Sequence, residues 1–172
     1  MTTSIKLSEL IPSKFHSVWK ATKNEQYLNI ICKGGRGSGK SSDIAIIFIQ
    51  LIMRYAVNGV VIRKIDNTLN TSVFEQIKWA TEVQKVSHLF KVNKSPLEIT
   101  YILRGNKIIF RGAQNPERLK SLKDSKFPYT LAWVEELAEF KMEDEVTTIT
   151  NSLLRGELDD GLFYKFFFSY NP

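Results

Sequence analysis

Residues 30–48 read IICKGGRGSGKSSDIAIIF. Four glycines, two basic residues and three serines fill positions 34–42, between two apolar runs of the kind that folded chains bury. Gly34, Gly39, Lys40 and Ser41 fit G-x-x-x-x-G-K-S/T without a mismatch, after a predicted strand and before a predicted helix. In that setting consecutive backbone N–H groups wrap a nucleotide's phosphates, and side chains must be missing where the backbone turns most tightly. Gly34, Gly35, Arg36, Gly37, Ser38, Gly39, Lys40, Ser41 and Ser42 are therefore the expected phosphate contacts. Lys40 is expected to reach the β- and γ-phosphates and Ser41 to ligate Mg²⁺, while the positive end of the following helix stabilises the anion.

The rest of the composition sets limits. The chain has 172 residues, long enough for one domain with a real core, and 24 Lys plus Arg against 18 Asp plus Glu leave a net charge of +6, which favours a polyanionic partner. A single cysteine, Cys32, excludes an internal disulfide and a cysteine-rich zinc site, and its place in an apolar strand marks it as a small core residue. The longest apolar run, residues 44–53, is too short to cross a bilayer, and the N-terminus lacks a basic-then-apolar signal pattern, so a cytosolic protein is expected.

Neither a repeat nor a linker divides the sequence, so residues 1–172 are read as one domain. Residues 1–26 form a helical lead-in containing Phe15 and Trp19. YLNIICK (27–33) is a buried strand and residues 41–57 a buried helix. GVVIRK (59–64) is a second buried strand. Residues 67–90 carry Leu69, Val73, Ile77, Ala80 and Val83 at helical spacing and predict an amphipathic helix. Residues 97–113 alternate on either side of Gly105-Asn106, a hairpin signature. YTLAWVEE (129–136) is a strand, residues 142–155 a helix and residues 161–172 a last strand. Strands alternating with helices imply an α/β domain with a mainly parallel central sheet.

A phosphate cradle needs a metal anchor and a means of activating water, and LAWVEE supplies both candidates. Four apolar residues lead to Glu135 and Glu136 at the carboxyl end of a strand, where open α/β sheets bind ligands. Neighbouring strand residues face opposite ways, which separates the two roles. Glu135 is expected to hold Mg²⁺, directly or through water, and Glu136 to orient or deprotonate the attacking water. Most P-loop ATPases carry Asp as the first acid, and this chain has Glu.

Three motifs together, GGRGSGKSS, LAWVEE and the closing FFFSYNP, resemble the ATPase half of a phage terminase large subunit of the Gram-positive phage and prophage (PBSX-like) type. The resemblance runs from about residue 27 onward. It implies a RecA/ASCE-like P-loop NTPase fold, ATP hydrolysis with Mg²⁺, and translocation of double-stranded DNA into an empty capsid in the bacterial cytoplasm. It implies portal protein and small terminase subunit as partners, and a homo-oligomeric ring in the assembled motor, the isolated domain being monomeric. By the same resemblance Ser169, Tyr170 and Asn171 occupy the motif that senses the γ-phosphate and couples hydrolysis to DNA movement. The family's RNase H-like nuclease domain has no counterpart in these 172 residues, so no nuclease activity is expected of them.

Several residues remain without a fixed role. Arg36 is expected to touch the γ-phosphate or a neighbouring subunit. Arg111, Arg118, Lys120 and Lys123 are candidates for a finger supplied in trans. Arg63 and Lys64, at a strand end, are candidate DNA or phosphate contacts, with an ordinary solvated strand end as the alternative. Trp19, Gln26 and Tyr27 precede the loop, where an adenine would stack or be hydrogen-bonded, although Trp19 suits the core equally well. The alternative functions are a helicase or RecA-like DNA-dependent ATPase, and a nucleotide-gated switch that hardly turns over. The guanine-reading N-K-x-D and the L-S-G-G signature are both absent.

Overall fold

The computed structural model describes residues 6–65, 69–114, 119, 122–154 and 157–172. A seven-stranded sheet runs in the order β1-β7-β6-β2-β5-β4-β3. Its strands are β1 (Asn29–Lys33), β2 (Asn58–Arg63), β3 (Phe90–Lys94), β4 (Leu97–Tyr101), β5 (Lys107–Gly112), β6 (Tyr129–Glu135) and β7 (Lys165–Tyr170). The first five in that spatial order are parallel, and β4 and β3 continue the sheet antiparallel. Every parallel strand thus ends on one edge, the carboxyl edge.

Period-two alternation divides the apolar residues between the two faces. Val61, Phe110, Trp133 and Phe167 pack with α3 (Lys40–Arg54) on one face, while Val60, Ile109, Ala132, Phe166 and Phe168 pack with Ile149 and Leu153 of α5 (Glu143–Leu153) on the other. Cover on both faces is why these strands are apolar throughout rather than alternating. The lead-in, α1 (Leu7–Leu10), a 3₁₀ turn (Ser13–Phe15) and α2 (His16–Thr22), lays Ile11, Phe15, Val18 and Trp19 against the α3 side.

α3 is buried on nearly every side, which fits its continuous apolar sequence. It starts at Gly39, whose φ of 88° is left-handed and favours glycine. Midway it lies directly on β2: a Cβ on Gly59 would stand 2.5 Å from a ring carbon of Phe48. Its carboxyl end is satisfied by the hairpin between β4 and β5. Asn106 Nδ2 donates to the carbonyls of Ile52 at 2.8 Å and Val57 at 2.9 Å, and the Arg104 guanidinium donates to those of Met53 at 3.2 Å and Tyr55 at 2.5 Å.

The helix expected over 67–90 is shorter than its pattern. A π-helical turn (Asn70–Phe74) leads into α4 (Glu75–Val83), which stops before Lys85, itself left-handed at φ 57°. Phe90, the expected last helical residue, instead opens β3, a strand the periodicity does not announce. Its residues are exposed after Phe90, because β3 is the sheet's edge and buries little beyond its first side chain. The expected hairpin is present as β4 and β5. No helix among the described residues is long and apolar enough to cross a membrane.

Candidate active site

The parallel order β1-β7-β6 sets three chain ends side by side on the carboxyl edge: the glycine loop after β1, Asn171 after β7 and Glu136 after β6. The loop joins its neighbour through the Gly34 N–H, which donates to the Tyr170 carbonyl at 3.3 Å. Lys40, the first residue of α3 and only 7% exposed, turns back across the loop and donates from Nζ to Asn171 Oδ1 at 2.7 Å. Asn171 Nδ2 in turn donates to Glu136 Oε1 at 2.7 Å. One amide therefore links the loop lysine to the second acid.

Glu136 holds a left-handed backbone, φ 53° and ψ 55°. Non-glycine residues seldom adopt that region, and such strain concentrates at active sites. The turn carries Glu136 out of the strand, while Glu135, still in β6, faces α3. Ser41 Oγ lies 3.5 Å from Glu135 Oε1. The two acids thus point to different partners, and the left-handed turn at Glu136, rather than strand alternation, separates them.

Glu135 is tightly surrounded. Arg63 Nε is 3.2 Å from Glu135 Oε2, an ion pair outside hydrogen-bond alignment, and Arg63 also reaches Glu139 Oε1 at 3.1 Å and Ser72 Oγ at 3.2 Å. Burial pushes the Glu135 carboxyl above its usual range, the Arg63 charge opposes this, and Glu136 and Glu139 add to the rise. Burial likewise raises Asp43, in the first turn of α3, to about 6, with Lys14 opposing, and lifts to about 11 the thiol of Cys32, which lies buried in the core.

The residues present fit a nucleotide with its metal. Ser38 Oγ is buried in the loop without a hydrogen-bond partner, and buried hydroxyls seldom go unsatisfied. A Cβ on Gly35 or Gly37 would meet nothing within 4 Å, so the loop's outer backbone is open to approach. A cavity of about 280 Å³ lies against residues 37–42 and Gln76, and an adjoining cleft of about 550 Å³ runs past Ser41 and Glu135 to Thr71, Ser72, Glu75 and Trp79. A hydroxyl facing a carboxylate suits Mg²⁺, which takes few protein ligands and completes its shell with water and phosphate oxygens.

Gln26 is a correction. It is exposed and precedes the amino end of β1, so the five-residue strand, roughly 16 Å at about 3.3 Å per residue, separates its edge from the loop. Tyr27 shares that edge, and Trp19 is partly buried against the core. Phe15 is the lead-in residue beside the loop, its ring 3.9 Å from where a Gly39 Cβ would stand. Sequence spacing cannot find it, because only the packing of the lead-in on α3 brings it there. Arg63 and Lys64 are not open phosphate contacts either: Arg63 pairs as above, and Lys64 pairs with Glu145 of α5. Arg36 is exposed. Ser169 is buried and accepts the Trp133 indole N–H at 2.9 Å, which leaves Asn171 as the member of its motif that meets Lys40 and Glu136. Of the finger candidates, Arg111 lies near the carboxyl edge on β5, Lys123 is exposed before β6, and Arg118 and Lys120 lie outside the described residues.

A mainly parallel sheet with a glycine loop between β1 and a buried helix, and acids ending a nearby strand, defines a P-loop NTPase fold. The family described as phage terminase large subunit matches residues 26–172. The terminase large subunit of Bacillus phage SPP1 is 51% identical over 168 residues, 98% of this chain and 40% of that protein. The PBSX phage terminase large subunit of Bacillus subtilis strain 168 is 30% identical over 110 residues, 64% of this chain and 24% of that one. Among solved structures, the large terminase of a thermophilic bacteriophage superposes with a TM-score of 0.67 at 16% identity, covering 100% of this chain and 40% of its own. Structures of the same protein with ADP and with ATP-gamma-S superpose with TM-scores of 0.64 and 0.61. The chain belongs to the phage terminase large subunit family, and it spans well under half the length of these relatives.

Proposed function

We propose that this chain is the ATPase domain of a DNA-packaging motor, binding ATP with Mg²⁺ and hydrolysing it to drive double-stranded viral DNA into a procapsid in the host cytoplasm. The observation that carries the reading is the line Lys40, Asn171, Glu136 running beside the pair Ser41 and Glu135 on one sheet edge. Two further facts support it: family membership, and the nucleotide complexes of a relative of the same fold.

The geometry supports the following residue roles. The backbone N–H groups of residues 34–42 and the Lys40 ammonium hold the phosphates, and the amino end of α3 adds its dipole. Ser41 and Glu135 hold the metal, which when bound neutralises charge developing on the transferred phosphoryl group. Glu136 accepts the proton of the attacking water, held in place by the Asn171 amide. Lys40 has three donors, so it keeps Asn171 while reaching a phosphate, and Asn171 then reports to Glu136 on what Lys40 holds. Arg36, exposed in the loop, serves the γ-phosphate or a neighbouring copy. Portal protein, small terminase subunit and a ring of identical copies are the partners that family membership suggests.

Calorimetry and turnover together test this. The chain should bind ATP in the presence of Mg²⁺, and Lys40→Ala should lose at least about a hundredfold in affinity, two charge-assisted contacts at about 1.5–3 kcal/mol each. Turnover should be slow in isolation, since an arginine finger from a neighbour contributes about 10³ to 10⁵ in rate. It should rise with duplex DNA. Unchanged binding by Lys40→Ala sinks the nucleotide assignment, and stimulation by single strands alone favours a helicase.

A further inference from the structure

Arg63 closes β2 beside β6, and its side chain is 12% exposed. It gathers three partners from two segments: Glu135 at the end of β6 and Glu139 in the 3₁₀ turn that follows it, and Ser72 in the π-helical turn before α4. The same α4 returns to the loop through Gln76 Nε2, which lies 3.4 Å from Ser42 Oγ.

Glutamate at the metal position has one more rotatable bond than the aspartate most P-loop ATPases carry, so its carboxylate has more freedom to be lost on binding a cation. Arg63 removes that freedom. With Oε2 against the guanidinium, Oε1 is the oxygen left facing Ser41. A planar fork holds its partners in fixed directions, whereas a lysine's three donors rotate about a single point and fix no carboxylate orientation.

We infer that Arg63 is a positioning residue: it orients Glu135 toward the metal site beside Ser41 and fastens it to the turns that carry Glu139 and Ser72. The inference rests on the metal role proposed for Glu135. Its side chain is taken up by Glu135, Glu139 and Ser72, so on this reading its loss acts on the metal requirement through Glu135.

The test is a Mg²⁺ titration of ATP turnover in the full chain, for wild type, Arg63→Gln, Arg63→Lys, Glu135→Gln and the double variant Arg63→Gln/Glu135→Gln. Arg63→Gln should raise the Mg²⁺ concentration for half activity about tenfold or more, the usual cost of losing an outer-shell partner. Affinity for ATP in EDTA should stay at the wild-type value. Arg63→Lys should show a smaller shift, and it carries the test alone should Arg63→Gln fail to fold. In the Glu135→Gln background, removal of Arg63 should add nothing, since the effect passes through that carboxylate. An additive shift in the double variant, or a shifted Glu135→Gln chain beside unshifted Arg63 variants, overturns the inference alone. An unmoved Mg²⁺ requirement in Glu135→Gln overturns the metal reading and the inference with it. Loss of DNA stimulation at an unchanged Mg²⁺ requirement returns Arg63 to a DNA contact.

Discussion

Buried polar side chains gather at both edges of the sheet, and they are satisfied in different ways. At the amino edge Lys165, fully buried, donates to the carbonyls of Asn24 at 2.9 Å and of Tyr27, while Arg104 and Asn106 close the carboxyl end of α3. Backbone carbonyls are fixed acceptors, so these contacts have one arrangement. At the carboxyl edge Lys40, Asn171, Glu136, Arg63 and Glu135 bond to one another's side chains. Buried atoms without a hydrogen-bond partner occur at both edges, Ser38 Oγ and Asp43 Oδ2 here and Asn106 Oδ1 and Thr130 Oγ1 at the other, so the contrast lies in the kind of partner. Side-chain partners can be exchanged for a ligand's atoms. The amino edge is thus built to stay as it is, and the carboxyl edge to change partners.

If that contrast is right, damage at the two edges should appear in different measurements. The largest effect belongs to Glu136→Gln, which keeps size and a hydrogen-bonding group but removes the base. ATP should still bind, while single-turnover hydrolysis falls by about 10² to 10⁴; hydrolysis of bound ATP at the wild-type rate would break the carboxyl-edge reading. Next comes Asn106→Ala at the amino edge. It leaves the Val57 carbonyl without its donor and should cost about 2 kcal/mol in urea unfolding. Its ATP affinity should match wild type, and a lost affinity with intact stability would erase the distinction between edges. The smallest effect tests a mixed case, Ser169→Ala. Ser169 stands at the carboxyl edge yet has a settled partner in the buried Trp133 indole, so the loss should appear as about 1 kcal/mol of stability in the same unfolding assay.

The carboxyl edge was more legible in the sequence than the amino edge. The loop and the paired acids announce themselves because phosphate chemistry restricts residue type at fixed spacing, but alternation along a strand does not foresee the left-handed turn that takes Glu136 out of β6. Asn171 required the family resemblance, since a polar strand ending has no unique meaning alone. Gln26 is near the loop in sequence but not in space, because β1 spans the depth of the sheet between them. Arg63 looked like a free strand end because its three partners come from segments up to 76 residues away. Residues 84–90 fall within the expected helix, but a left-handed Lys85 ends it early and the chain passes to β3 at the open edge of the sheet. Arg104, Asn106 and Lys165 gave no signal, because a backbone carbonyl leaves no mark on the sequence of its donor.

The contact of Gly59 with Phe48 also bears on how this family can diverge. Two positions eleven residues apart share one volume: an alanine at 59 would meet the ring of Phe48 at 2.5 Å, so any side chain there requires a smaller residue at 48 or a helix lifted off the sheet. Lifting α3 would carry the phosphate loop with it, because the loop is the helix's own beginning. Positions 48 and 59 are therefore expected to vary as a pair, which two letters of each relative's sequence would test.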